Sequence, residues 1–519
     1  MRRSRWMFAA ATMCAVALAG CNAGSTANGG DTPSPGGDTA TNGTAAPSEP
    51  EQGGEITIGL VAEPASLDFT TTDGAAIPQV LLTNIYETLV KVDQDGSIVP
   101  SLAKEWTVSE DNKTYTFTLV EDAKFTNGET FTAEDAVFSI NKVKNDWVTS
   151  VKAAMDVVAE AKAVSDTELQ VTLTQPSNSW LYKMTTRIGA MMTESGVGDL
   201  ANTPVGTGPF VFDSWNRGDS IVLKANPDYW GEKPAFDEVT LRYFKDPTAL
   251  NNALLTGSIN VISTVQAPES LGQFENNDKF KIIEGMTNGE IVLSMNHRKA
   301  PFDNLQARQA VRHAIDHQAL MDTCWAGKGT LIGSMVPPTD PWYEDRTGDY
   351  PFDLDKAKSL LAESGQAGTA VELKLPQLPY ATSCGQVVKS MLEDAGFTVN
   401  LSQHEFPAQW LQVVFTDHDY NMSMVAHVEP RDLAAVFANP DYYPGYDNAE
   451  LRDLVAKADS GTAEDEVTNL KAAATMISED AAADFLFLLP NLIVADADIS
   501  GLPENAITEA FDLTNLSRS

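Results

Sequence analysis

Residues 371–401 constrain this chain more than any other stretch. Val371, Leu373 and Leu375 alternate as one face of a half-buried strand does. The spacing then predicts a helix over 383–395, stopped by Gly396, and a further strand through Phe397, Val399 and Leu401. Strand, helix and strand at that separation make a crossover unit, which implies parallel pairing and a right-handed connection. The unit places the chain in the α/β class.

The rest of the second part of the chain has the same character. Helical spacing covers 307–320, 355–364 (with Gly365 in the stop position), 449–458 and 464–479. The first part is richer in strands. Alternation marks 55–60, then Tyr115, Phe117 and Leu119, then Leu169, Val171 and Leu173, then Ile221, Leu223 and Ala225. Asn127-Gly128 reads as a turn. Thr132 with Asp135 reads as the start of a helix carrying Ala136, Val137, Ile140 and Val143. A strand-rich half followed by an α/β half predicts two lobes, and small-molecule sites favour the cleft between lobes.

The amino terminus says where such a body works. Arg2, Arg3 and Arg5 precede an apolar run over 7–18, and Leu18-Ala19-Gly20-Cys21 closes it. This is an export signal, 1–20, with cysteine at the first mature position. It resembles the lipobox of bacterial lipoproteins, which implies lipidation of Cys21. Acyl chains contribute about 0.8 kcal/mol per buried CH2, so two or three hold a protein on a membrane surface. Residues 21–53 are Gly, Ser, Thr, Ala, Asn and Pro with a few acids, a composition that predicts a disordered tether. Its reach is about 30 Å. The run at 485–495 is too short to span a bilayer, and Pro490 and Asn491 interrupt it.

Formal charge is -37 over 519 residues, and the signal carries three arginines and no acid, so its removal makes the charge more negative still. Nucleic acid and anionic lipid drop out as partners, which leaves the lipid anchor as the one membrane contact. Hydrophobic residues make up 43%, ample for more than one lobe. Beyond Cys14 and Cys21, only Cys324 and Cys384 remain. In an oxidising compartment they can pair, but sequence does not give their distance, so disulfide and free thiols both stay open.

The ordered motifs allow a comparison of families. Ile85-Tyr86-Glu87-Thr88-Leu89-Val90 leads to Asp93-Gln94-Asp95-Gly96 and Pro100-Ser101-Leu102-Ala103. Tyr115-Thr116-Phe117-Thr118-Leu119, Phe125-Thr126-Asn127-Gly128-Glu129 and Thr132-Ala133-Glu134-Asp135-Ala136-Val137 follow. Then come Pro204-Val205-Gly206-Thr207-Gly208-Pro209-Phe210 and Asn226-Pro227-Asp228-Tyr229-Trp230-Gly231. Met295-Asn296, Pro301-Phe302-Asp303-Asn304, Arg308-Gln309-Ala310-Val311 and Ala314-Ile315-Asp316 complete the series. Together the chain resembles the family 5 solute-binding proteins of ABC importers. The resemblance implies a bilobal periplasmic-binding-protein-like (type II) fold with an extra domain inserted in the first lobe. It implies 54–84, 204–295 and 488–519 for the first lobe's main domain, 85–203 for the insertion and 296–487 for the second lobe. It also implies a monomer without catalysis, cofactor or resident metal. Such a protein closes on a peptide or other small solute and delivers it to permease subunits with their ATPases.

The same resemblance suggests site residues. Trp410 stands where oligopeptide binders place a cleft tryptophan; the alternative is a core ring. His427-Val428-Glu429-Pro430-Arg431-Asp432 falls on the family's cleft loop. There Glu429 or Asp432 could face a cation and Arg431 a carboxylate, or Arg431 and Asp432 form a local surface pair. Met424 stands where some oligopeptide binders carry an arginine, a departure that weakens peptide specificity. Asp73, Gly74 and Ala75 fall where the ligand backbone often pairs, or in a plain Asp-Gly turn. Asn288, Gly289 and Tyr380 lie near other cleft segments.

Two patterns invite other chemistry and are set aside. Gly206-Thr207-Gly208-Pro209 lacks the Lys-Ser/Thr and helix of a phosphate cradle, so it reads as a turn feeding a strand. His313 and His317 are four apart on an expected helix, yet no third ligand is near in sequence. A secreted enzyme is the rival class, and neither a Gly-x-Ser-x-Gly elbow nor a His-Glu-x-x-His helix appears. Within the receptor class, an oligosaccharide, opine or metal chelate is the alternative solute.

Overall fold

The structure is a computed structural model that describes residues 53–519. The expected export signal, Cys21 and the expected tether up to residue 52 lie outside the described residues. Ten strands form one large sheet, and its middle explains the two lobes. Two long strands, Phe280–Met295 and Ala483–Asp496, lie antiparallel at its centre. Phe280 to Met286 pairs with Pro490 to Asp496, and Glu290 to Ser294 pairs with Ala483 to Leu488. Between them, at residues 287–289 and Leu489, the register shifts. The break divides the sheet into two wings.

On one side, Val261–Ile262 pairs with the Ala483–Asp496 strand, followed in order by Glu55–Leu60, Glu238–Tyr243, Ser220–Ala225 and Phe210–Asn216. On the other, Met422–His427 pairs with the Phe280–Met295 strand, followed by Ala370–Pro376 and Thr398–His404. The last two are parallel and joined by the Pro379–Asp394 helix, the crossover unit expected from periodicity. Ile56, Ile58, Leu223 and Leu241 bury the first wing, and Leu293, Leu373, Val388 and Met424 the second.

A separate antiparallel sheet forms the inserted domain, in the order Ala103–Val108, Thr114–Leu119, Glu168–Leu173, Val158–Ser165. The Ala133–Asp146 helix presents Ala136, Ile140 and Val143 to the core, and Asp135 accepts from the Thr132 amide at 2.9 Å, which closes its first turn.

Several of the ordered motifs meet in the packing of the first lobe. Glu87 accepts from Tyr229 Oη at 2.9 Å and from Trp230 Nε1 and Thr207 Oγ1 at 2.8 Å each. Burial outweighs those donors and pushes its carboxyl up to about 7. Gly206 and Gly208 run against the 84–86 backbone, where a Cβ would sit 1.9 Å from Ile85 O and 2.6 Å from Asn84 O. The two glycines permit a backbone approach that no side chain allows. These motifs hold the first lobe together.

One expectation is corrected. The helix expected over 307–320 is two helices, Leu305–Ala314 and His317–Cys324. Asp316 accepts from the Ala319 amide at 3.0 Å and starts the second, so the chain turns at Ile315. His313 and His317 therefore do not share a helix face. His313 Nδ1 bonds Pro351 O at 2.8 Å, and His317 Nε2 lies 3.0 Å from Asp484. Among the described residues no cluster has the ligands for a metal, and no helix is long and apolar enough to cross a membrane.

Candidate functional site

The register break positions a cavity of about 400 Å³. Thr287, Asn288 and Gly289 from one long strand, with Leu489, Pro490 and Asn491 from the other, form its floor. The first lobe supplies Ala75, Gln79, the loop 263–266 and the returning segment 506–511, and its inserted domain supplies Arg187. The second lobe supplies Trp325, Leu378, Tyr380, Val428, Glu429 and Pro430. Every wall thus belongs to a different part of the chain.

Local bonds keep the floor from pairing as regular sheet. Thr287 Oγ1 donates to Leu489 O at 2.6 Å and accepts from the Gly289 amide at 2.9 Å. Asn288 Nδ2 donates to Ile507 O at 2.9 Å, tying the returning segment to the floor. Tyr380 Oη accepts from the Ala426 amide at 2.8 Å, which fixes that ring against the neighbouring strand.

Three charged side chains line the cavity. Arg187 is gripped by Glu509: Oε1 accepts from its Nε at 2.7 Å and from its Nη2, while Oε2 accepts from its amide at 2.7 Å. Both side chains are almost fully buried. Burial opposes the guanidinium's charge, but Glu509 outweighs it and holds the group above its usual range. Glu429 lies 4.0 Å from the same guanidinium and is 60% exposed. Among the described lining residues the one cation is engaged, and Glu429 is the open charge.

The expected site residues divide accordingly. Ala75, Asn288, Gly289, Tyr380 and Glu429 line the cavity, whereas Asp73 and Gly74 stop two residues and one residue short of its wall. The remaining four lie elsewhere. Trp410 is 1% exposed, packed 5.7 Å from Phe406 and 5.1 Å from Phe415, and its Nε1 donates to Ser423 Oγ at 3.2 Å. A ring of that area with a satisfied N–H is a core side chain, the alternative weighed above. His427 pairs with Asp432 at 3.1 Å and meets Tyr443 Oη at 2.9 Å, so both turn away from the cavity. Arg431 is neither a cavity group nor partner to Asp432. It lies 3.4 Å from Asp340 and 3.8 Å over the Tyr182 ring. Tyr182, Arg431 and Trp342 border a second cavity of about 400 Å³ between the Asn178–Lys183 helix and the second lobe.

Cys324 and Cys384 are joined as a disulfide, with Cα atoms 4.8 Å apart. It links the end of the His317–Cys324 helix to the Pro379–Asp394 helix. Trp325, Arg187, Glu509 and Phe511 are wall residues that local pattern does not reveal. Arg187 and Glu509 are 322 positions apart, and no motif marks either one.

Two lobes sharing a pair of central strands, with a cavity at their junction, define the type II periplasmic-binding-protein-like fold. The chain belongs to the bacterial extracellular solute-binding proteins of family 5, whose "family 5 Middle" profile matches residues 97–450, well over half of the sequence. The Escherichia coli nickel-binding periplasmic protein is 31% identical over 299 residues, 54% of this chain and 56% of that protein. The Escherichia coli dipeptide-binding protein is 27% identical over 373 residues, 65% of this chain and 68% of that one. The chain thus spans little more than half of the first relative and about two thirds of the second. Among solved structures, the substrate-binding protein CtaP of Listeria monocytogenes superposes with a TM-score of 0.81 at 22% identity, over 90% of this chain and 100% of its own. DppA of Helicobacter pylori, solved with the peptide STSA, gives 0.76 at 22%, over 90% and 98%. At these identities the likeness is one of fold.

Proposed function

We propose that this chain is the solute receptor of an ABC importer and closes its lobes on a peptide or peptide-like solute in the cavity at the register break. One observation carries the reading: both lobes and both long strands supply walls of the same cavity, so binding and lobe closure are one event. Family membership supports it. The ligand contacts we assign are Ala75, Asn288, Gly289, Tyr380 and Glu429, with Glu429 facing a cationic group. We assign the lobes the boundaries that the family resemblance implies, 54–84 with 204–295 and 488–519 for the first and 296–487 for the second, and Arg187, which lines the cavity, to the inserted domain, 85–203. Cys21 carries the lipid that holds the receptor, as a monomer, on the outer face of the membrane. The receptor returns its solute unchanged to permease subunits with their ATPases.

The test is a thermal-shift screen of the purified protein against di- to octapeptides, oligosaccharides, opines and metal chelates. A bound solute raises the melting temperature by mass action. A peptide that does so and is recovered intact is the expected result; turnover of it would contradict the receptor role. A second reading, the same class of receptor for a non-peptide solute, is favoured by the engagement of Arg187 with Glu509, which leaves a peptide carboxylate no free cation. A shift by a sugar or chelate alone selects it.

A further inference from the structure

This inference rests on the receptor reading and concerns one wall of the same cavity. Trp325 directly follows Cys324 at the end of its helix, lines the cavity and is 8% exposed. Its indole Nε1 is buried and has no hydrogen-bond partner among the described residues. Among the described side chains that line this cavity, no other buried nitrogen or oxygen is left unmatched. The indoles of Trp147 and Trp180 are unmatched too, but neither ring lines the cavity, whereas Trp325, itself packed in the core of the second lobe, does. A buried donor without an acceptor is costly, and an indole N–H can only donate, so its partner must bring an acceptor.

The setting narrows that acceptor. Tyr380, the other aromatic wall from the second lobe, already uses its hydroxyl on the Ala426 amide. Arg187 is the one cation among the lining residues, and Glu509 holds it. A carboxylate beside Trp325 would meet no free cation and the open charge of Glu429, whereas a neutral carbonyl meets neither problem. The disulfide supplies rigidity. Cys324 precedes Trp325, and Cys384 sits one helical turn after Tyr380, so the bond links the backbone under both rings. We propose that Trp325 is a solute-recognition residue that donates its Nε1–H to a neutral, amide-type carbonyl of the bound solute, with the Cys324–Cys384 bond holding the indole in place.

Two measurements on the full chain test this, with Leu-Leu amide, Leu-Leu and maltotriose as probes. In the wild-type protein, nuclear magnetic resonance follows the assigned indole proton of Trp325. It is expected to move downfield as Leu-Leu amide saturates the protein. Calorimetry on Trp325→Phe, which keeps a ring and removes the donor, is expected to show about tenfold weaker binding with no loss of melting temperature. An indole proton that stays put under saturation overturns the proposal, as does equal affinity in W325F. Tighter binding of Leu-Leu than of its amide overturns the neutral acceptor. Maltotriose as the sole binder overturns the amide class and leaves the receptor reading standing. Failure of every probe and of the wider solute panel removes the receptor reading, and this inference with it.

Discussion

Asp459, in the second lobe, caps a helix of the inserted domain through Ser177: its Oδ1 accepts from Ser177 Oγ at 3.0 Å and from the Ser179 amide at 2.9 Å. Asn178 completes the contact, its Nδ2 donating to Ala458 O at 2.8 Å and Gly461 O at 3.0 Å. These bonds join lobes away from the solute cavity, so they set the balance between open and closed forms without touching solute. Asp459→Ala should cost about 1 kcal/mol of the closed form, roughly fivefold in its population. Small-angle scattering should show a larger radius of gyration without solute, and affinity should fall by a similar factor. An unchanged radius and affinity would falsify the latch.

The Arg187–Glu509 pair predicts asymmetric costs. Removing one partner leaves the other charge buried, at about 3–5 kcal/mol. Glu509→Ala should therefore unfold at much lower denaturant than wild type. Glu429→Gln, at an exposed position near the same guanidinium, should stay within about 0.5 kcal/mol. Chemical denaturation of both variants checks the contrast.

Two buried acids predict how stability follows pH. Burial pushes Glu87 from its ordinary 4.5 to about 7 and Asp340 from 3.8 to about 6, the latter despite Arg431. A carboxyl raised on folding contributes stability that is full below its unfolded value and lost as pH rises through its folded one. Melting temperature should therefore fall between pH 4.5 and 7.5 on their account. Glu87→Gln should make that slope shallower by about 1–3 °C over the interval. A parallel slope in the variant contradicts the assignment.

The disulfide closes a loop over a sequence separation of 60, for which chain entropy gives about 4 kcal/mol, with 2–4 typical in practice. Cys324→Ser with Cys384→Ser should lower the unfolding midpoint accordingly. Wild type under reducing conditions should match the double variant.

How much of this was legible in advance depends on the range of the forces involved. The crossover unit at 370–404 and the capped helix at 133–146 rest on local periodicity and local hydrogen bonds, and the structure has both. The break at Asp316 was signalled by an N-cap residue but masked by apolar spacing that runs through it. Trp410 and Trp325 show the limit. Both are large aromatics near cysteines, strands or cleft loops, and only three-dimensional packing decides that Phe406 and Phe415 cover one while the other faces the cavity. Arg431 could not be placed for the same reason, since its partners Asp340 and Tyr182 come from distant segments. Cavity walls gathered from nine stretches of chain leave no signature in any one of them.

The place of the Ala483–Asp496 strand has a consequence for biosynthesis. It is made after every other strand of the large sheet, yet it sits inside that sheet, flanked by Val261–Ile262 and Phe280–Met295. Neither core can close on the ribosome until that segment emerges, because each wing needs half of it as a neighbour. The large sheet therefore stays open until residue 496 has been made, a state in which a polypeptide can still be threaded through a pore.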